Sequence, residues 1–152
     1  MLYEPPENVY GVLAAPPCTE FSRAKHFHGK GNYHHDFRGG LAIVDACLRI
    51  IMVTKPKFWA LENPNGYLIT WLGKPSFSFE PYYYGDNYQK RTCLWGNFRV
   101  PVPQRLSAKG LKKFSMLKSR EIYPKLYGVY DRQTRRAITP PGFARAFFEA
   151  NR

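Results

Sequence analysis

Val9-Tyr10-Gly11-Val12-Leu13-Ala14-Ala15-Pro16-Pro17 is the stretch on which the reading of the fold turns. A short apolar run stopped by two prolines has the length and branching of a buried strand rather than a helix. Downstream of it, residues 18–40 hold all four histidines and read as a long loop. Leu41, Val44, Leu48, Ile51 and Met52 then fall at helical spacing, with Asp36 or Gly39-Gly40 near the start and Lys55-Pro56 at the end. Phe58-Trp59-Ala60-Leu61 reads as a second strand broken by Asn63-Pro64. Residues 66–72 suit a short helix, and residues 76–84 and 92–98 are rich in strand formers. Residues 104–136 read as loop. Thr139-Pro140-Pro141 opens a last helix, with Thr139 as cap and proline in its first turn. The order strand, helix, strand, helix, strand, strand predicts an α/β fold with a mixed, mainly parallel sheet. In such sheets ligands sit beyond the carboxyl ends of the strands. Segments 16–22 and 62–65 each follow a strand, so they are expected to meet at one cleft.

At 152 residues and 44% hydrophobic, the chain has material for one domain with a core, which excludes wholesale disorder. No apolar run approaches the ~18–20 residues of a membrane span. The opening Met1-Leu2-Tyr3-Glu4-Pro5-Pro6 lacks the basic and apolar regions of a signal peptide. Three cysteines without scaffold spacing point to a reducing, cytoplasmic setting. The net charge of +12 is concentrated: residues 104–136 carry ten basic residues against Glu121 and Asp131. A polyanion is the natural partner of such a segment, because each neutralised phosphate releases counterions. The plainer alternative is a solvated face.

Three segments carry chemistry. In Pro16-Pro17-Cys18-Thr19-Glu20-Phe21-Ser22, a cysteine on a proline-stiffened backbone has polar neighbours, unlike Cys47 in the helical pattern or Cys93 in an apolar strand. It suits a nucleophile, against the alternative of an inert buried thiol. In Glu62-Asn63-Pro64-Asn65, a carboxylate past a strand end suits binding or protonation of a ring nitrogen, against a helix N-cap or turn role for Asn63-Pro64-Asn65. In Tyr88-Gln89-Lys90-Arg91-Thr92, Gln89 and Arg91 stand two apart on one strand, facing the same side; they suit a carbonyl or phosphate, or else a solvated edge. Cys18 with His26, His28, His34 and His35 is a weaker, zinc-like grouping whose alternative is a polar loop or a lid over a substrate, and no metal site is assigned to it.

Together these segments resemble the cytosine-5 DNA methyltransferases, and most closely the compact methyltransferase-like proteins of phages. Residues 16–22 resemble the family's catalytic Pro-Pro-Cys loop, Glu62-Asn63-Pro64 its Glu-Asn-Val motif, Gln89 and Arg91 the start of its Gln-x-Arg-x-Arg motif, and residues 139–146 its last motif, beside the cofactor. Thr19 stands in place of the usual Gln, Pro64 of Val, and Cys93 of the second Arg. The resemblance implies a Rossmann-like fold and methyl transfer from S-adenosylmethionine to cytosine C5. It gives Cys18 the attack on C6, Glu62 the ring N3, and Arg91 with Gln89 the ring O2. It places Pro16, Asn63, Thr139 and Pro140 beside the cofactor. The partner would be DNA presenting a flipped or single-stranded cytosine, in a bacterial or phage-infected cell. Ser22, Arg23, Lys109, Lys112, Lys113, Arg132, Arg135 and Arg136 would contact it, with Phe21 or Tyr84 lining the base pocket or packing in the core. On this basis residues 1–152 form one partial catalytic domain, with 99–137 a short basic insert in the place of a target-recognition region. The family's glycine-rich cofactor motif has no counterpart before Cys18. Two alternatives stay open: a second chain or second copy supplies that half, or the chain is an inactive fragment serving as a basic nucleic-acid-binding module.

Overall fold

The computed structural model describes residues 4–23 and 34–152. They fall into two compact units, residues 1–78 with 92–98, and residues 79–91 with 99–152.

The first unit is built on β1 (Gly11–Ala14), α1 (Phe37–Thr54), β2 (Phe58–Pro64) and β5 (Thr92–Asn97). β1 and β2 pair in parallel, Val12 opposite Trp59 and Ala14 opposite Leu61. The helix α1 supplies the crossover that parallel pairing requires. Its start is set by Asp36, whose Oδ1 accepts from Gly39 N at 2.8 Å. Its end is set by Lys55, left-handed at φ 45° before Pro56. Both lie where the sequence places them. β2 and β5 are antiparallel, Leu61 opposite Trp95 and Asn63 opposite Cys93.

With β3 (Phe77–Phe79) the sheet order is β1-β2-β5-β3, and the pairing is mostly antiparallel, not mainly parallel as the sequence order predicts. The reason is the connections. Only β1 to β2 carries a long helix; α2 (Ile69–Leu72) after β2 is a single turn. β2 also runs through Asn63-Pro64 rather than breaking there. Pro64 is tolerated because it is the last residue of the strand and lies beyond β1's last pair. The core of this unit gathers Phe21, Val44, Leu61, Leu68, Cys93 and Trp95.

The second unit holds β4 (Tyr88–Gln89), β6 (Lys112–Lys113), α3 (Arg132–Ala137) and α4 (Pro141–Asn151), with several 3₁₀ turns. Its aromatic core stacks Phe79 on Phe143 at 3.7 Å between centroids, with Tyr84 and Phe147 against Phe143. Thr139 does not cap α4. Pro140 takes the cap position without a side-chain bond, and Asp86 Oδ2 accepts from Gly142 N at 3.2 Å instead. Proline cannot cap through a side chain, so a carboxylate distant in sequence does it. The stretch read as loop, 104–136, carries β6, three 3₁₀ turns and α3. Among the described residues no helix is long and apolar enough to cross a membrane.

Glu80 is a strained point in this unit. Burial pushes its carboxyl up, against the opposing pull of the Lys90 N–H and the Arg91 charge, and its Oε2 is buried without a hydrogen-bond partner. A raised carboxyl contributes stability when protonated, below the ordinary carboxylate range, and loses it as pH rises through the raised value. Glu80→Gln should therefore raise the thermal midpoint at pH 7, and the gain should shrink toward pH 4. An unchanged or lower midpoint at pH 7 would contradict this assignment.

Candidate functional site

Beyond Leu61, β1 offers no further partners, so Glu62-Asn63-Pro64 are paired by β5 alone. Asn63 joins this overhang to the loop leaving β1: its Nδ2 donates to the Pro16 carbonyl at 3.0 Å. Both residues are buried, Asn63 completely. Segments 16–22 and 62–65 thus touch through one buried bond.

The rest of the loop is fixed as firmly. The Cys18 carbonyl accepts from Phe21 N at 3.0 Å and Ser22 N at 2.9 Å, closing a tight turn. The Phe21 ring is fully buried, and its carbonyl accepts from Tyr67 N at 2.7 Å. That approach requires Gly66, because a Cβ there would stand 2.1 Å from the Phe21 oxygen. Glu20 Oε2 accepts from Asp36 N at 2.9 Å, tying the loop to the start of α1. Cys18 sits among these tethers and is exposed, whereas Cys47 is half-buried with its thiol pushed up by burial, and Cys93 is buried. Glu62 is half-buried, and the pleat turns it to the sheet face opposite Asn63.

Gln89 and Arg91 belong to the second unit. They do not share a strand face: β4 ends at Gln89, and Lys90-Arg91 form the link to β5. Gln89 Nε2 donates to the Leu111 carbonyl at 2.7 Å, while Arg91 is exposed with its charge acting on Glu80. Tyr84, like Phe21, is buried in its own core, and its hydroxyl donates to the Pro101 carbonyl.

The residues assigned to the cofactor are largely engaged in the fold. The Pro16 carbonyl and the Asn63 amide are bonded to each other, Pro140 is buried, and Thr139 is exposed. The one orphaned polar atom among them, Asn63 Oδ1, is buried without a partner in a residue with no exposed surface. Pro16 and Asn63 thus offer no open polar group of the kind a nucleoside-sized ligand needs, and Thr139 and Pro140 belong to the second unit.

The basic candidates divide. Lys109 and Lys113 are exposed; Lys112 is exposed and pairs with Glu121 at 2.9 Å, a contact that holds that carboxyl below its usual range. Arg23 is exposed beside the Tyr67 ring, and Ser22 is half-buried. Arg132 opens α3. Arg136 lies over the Phe114 ring at 5.0 Å. Arg135 is 2% exposed, its Nη1 donating to the Ile122 carbonyl at 2.8 Å and its Nε to Tyr130 O at 3.1 Å. It acts as an internal post rather than a surface cation. His26 and His28 lie outside the described residues, and His35 stacks on Phe37. Among the described residues no three His, Cys, Asp or Glu side chains gather as metal ligands. Sequence reasoning did not find Gly66 or Asp86, since their roles arise from contacts with chain segments distant in sequence.

No protein-family model matches the sequence, and the search of curated proteins gives no match.

Two outcomes follow. A thiol-specific reagent should modify Cys18 rapidly in the native protein and Cys93 only on unfolding; rapid loss of Cys93 would contradict the assignment. Gly66→Ala should lower the unfolding free energy by about 1–3 kcal/mol in urea, because the Phe21 backbone has to move. An unchanged midpoint would show that the approach is not tight.

Proposed function

We propose that the chain carries the base-activating half of a cytosine-5 DNA methyltransferase-like reaction, with β1 and β2 as the parallel strands of a Rossmann-like sheet. The observation that carries this reading is the Asn63–Pro16 bond. It ties the loop of the exposed Cys18 to the strand end bearing Glu62.

In this reading the Cys18 thiolate, its proton released to water, forms a bond to C6 of an unpaired cytosine. The C5–C6 electron pair shifts toward N3, and Glu62 delivers a proton there. The product is an enamine whose C5 is nucleophilic. Loss of the N3 proton and departure of the thiolate reverse the step. In methyl transfer, the C5 of this adduct would take the methyl group of S-adenosylmethionine. Pro16 and Asn63 spend their polar groups on each other, and the reading assigns the missing cofactor half to a second chain or second copy. Arg91 and Gln89 are assigned to the ring O2 by resemblance alone, and the proposal rests on Cys18 and Glu62. The exposed Lys109 and Lys113 favour a second reading, a basic nucleic-acid-binding module without chemistry.

The two readings separate without any cofactor. Addition at C6 makes C5 open to protonation, so an active chain should exchange the C5 hydrogen of cytosine in single-stranded DNA for deuterium. Cys18→Ser should abolish the exchange, and Glu62→Gln should slow it by roughly 10²-fold or more. Binding of DNA without exchange above the Cys18→Ser background would overturn the enzymatic reading in favour of the module.

A further inference from the structure

The second unit presents a preformed aromatic turn that the charge of its segment does not explain. Tyr127-Gly128-Val129-Tyr130 form a tight turn, with Val129 N and Tyr130 N both donating to the Leu126 carbonyl at 3.2 Å. Gly128 has φ 88°, a conformation that favours glycine. The turn is braced from within by Arg135, which is bonded to the Ile122 and Tyr130 carbonyls. Asp131 caps the following α3 through Thr134 N at 2.8 Å. On this hydrogen-bonded support Tyr127 is 48%, Val129 68% and Tyr130 50% exposed. The buried Arg135 guanidinium lies 5.1 Å from the Tyr127 ring centroid and that of Arg120 5.7 Å, and Lys118 and Lys125 are exposed nearby in sequence.

We infer that Tyr127 and Tyr130 form a stacking platform for unpaired nucleobases of a single-stranded polynucleotide, whose phosphates are met by the surrounding cations. The inference rests on the reading of the chain as a nucleic-acid-acting protein and names how the strand is held. The occupant follows from complementarity. The exposed Lys109, Lys113, Lys118, Arg120 and Lys125 of this segment call for a polyanion, and a polynucleotide is a polyanion that also offers a flat ring at every charge. Phosphate binding alone requires no exposed tyrosine. A duplex hides its base faces in its own stack, so ring stacking selects an unpaired base. Tyrosine suits the task because it offers a broad face with few torsions to immobilise.

The test compares two labelled strands of equal charge by fluorescence anisotropy: an all-thymidine strand of about 20 nucleotides, and an abasic strand with the same number of phosphates. The native chain should bind the thymidine strand roughly tenfold or more tightly than the abasic one. Tyr127→Ala with Tyr130→Ala should bring that ratio close to one while leaving the salt dependence unchanged. Tyr127→Phe with Tyr130→Phe, which keeps both rings, should preserve it. Equal affinity of the native chain for the two strands, or a ratio that survives the alanine pair, would overturn the inference. So would loss of the ratio in the phenylalanine pair, or binding to anionic lipid vesicles without preference for bases. The probe contains no cytosine, so the outcome is independent of Cys18 chemistry: failure here leaves the methyltransferase-like reading standing, and failure there leaves this one.

Discussion

The hydrogen bond from Asn63 Nδ2 to the Pro16 carbonyl is the contact on which the candidate site depends. A loop after a strand ordinarily carries its backbone polar groups to water. Here one of them is buried, and a side chain from the neighbouring strand satisfies it. A buried carbonyl left without a donor costs about 1–3 kcal/mol, so the loop is held where that donor is. The other tethers, at Glu20 and at Phe21 with Gly66, hold the remaining length, and Cys18 is presented from a fixed backbone. A nucleophile on such a frame meets its target without first ordering a chain.

Much of the first unit was legible because local patterns agree with the packing they produce. The short run before Pro16 is a strand, the 3.6-residue spacing after Asp36 is a helix, and both of its ends lie at the residues with the right capping chemistry. The direction of the third sheet neighbour was not legible. Whether β5 runs with or against β2 depends on the intervening connection, whose helical pattern shrank to the single turn Ile69–Leu72. Periodicity cannot distinguish that turn from a true crossover. The exposure of Cys18, set against the burial of Cys93, was legible in their neighbours: prolines and polar groups for one, an apolar strand for the other. The role of Asn63 was not. An amide in Glu62-Asn63-Pro64 suits a turn, a ligand or a lock, and only its distance to Pro16 decides among them.

The second unit shows the limit of reading charge along a chain. Ten cations in one segment suggest a uniform basic surface, yet they do different work. Arg135 is spent inside the fold on backbone carbonyls, Lys112 is paired, Arg136 covers an aromatic ring, and Lys109 and Lys113 face solvent. Sequence offers no means of separating a buried guanidinium from an exposed one, because both are flanked by polar residues. The separation matters for function, since a cation that braces a turn supports binding only by shaping what the turn displays. In the first unit a buried amide fixes an exposed thiol, and in the second a buried guanidinium fixes exposed rings.

The Asn63 lock is open to direct observation by amide hydrogen exchange of the side chain in nuclear magnetic resonance. If Asn63 Nδ2 is buried and donating to Pro16, its side-chain protons should exchange as slowly as the backbone amides of β2, many orders of magnitude below an exposed asparagine. Exchange at the rate of a free asparagine side chain, with β2 still protected, would show that the loop is not fastened to the strand end and would contradict the account of the site.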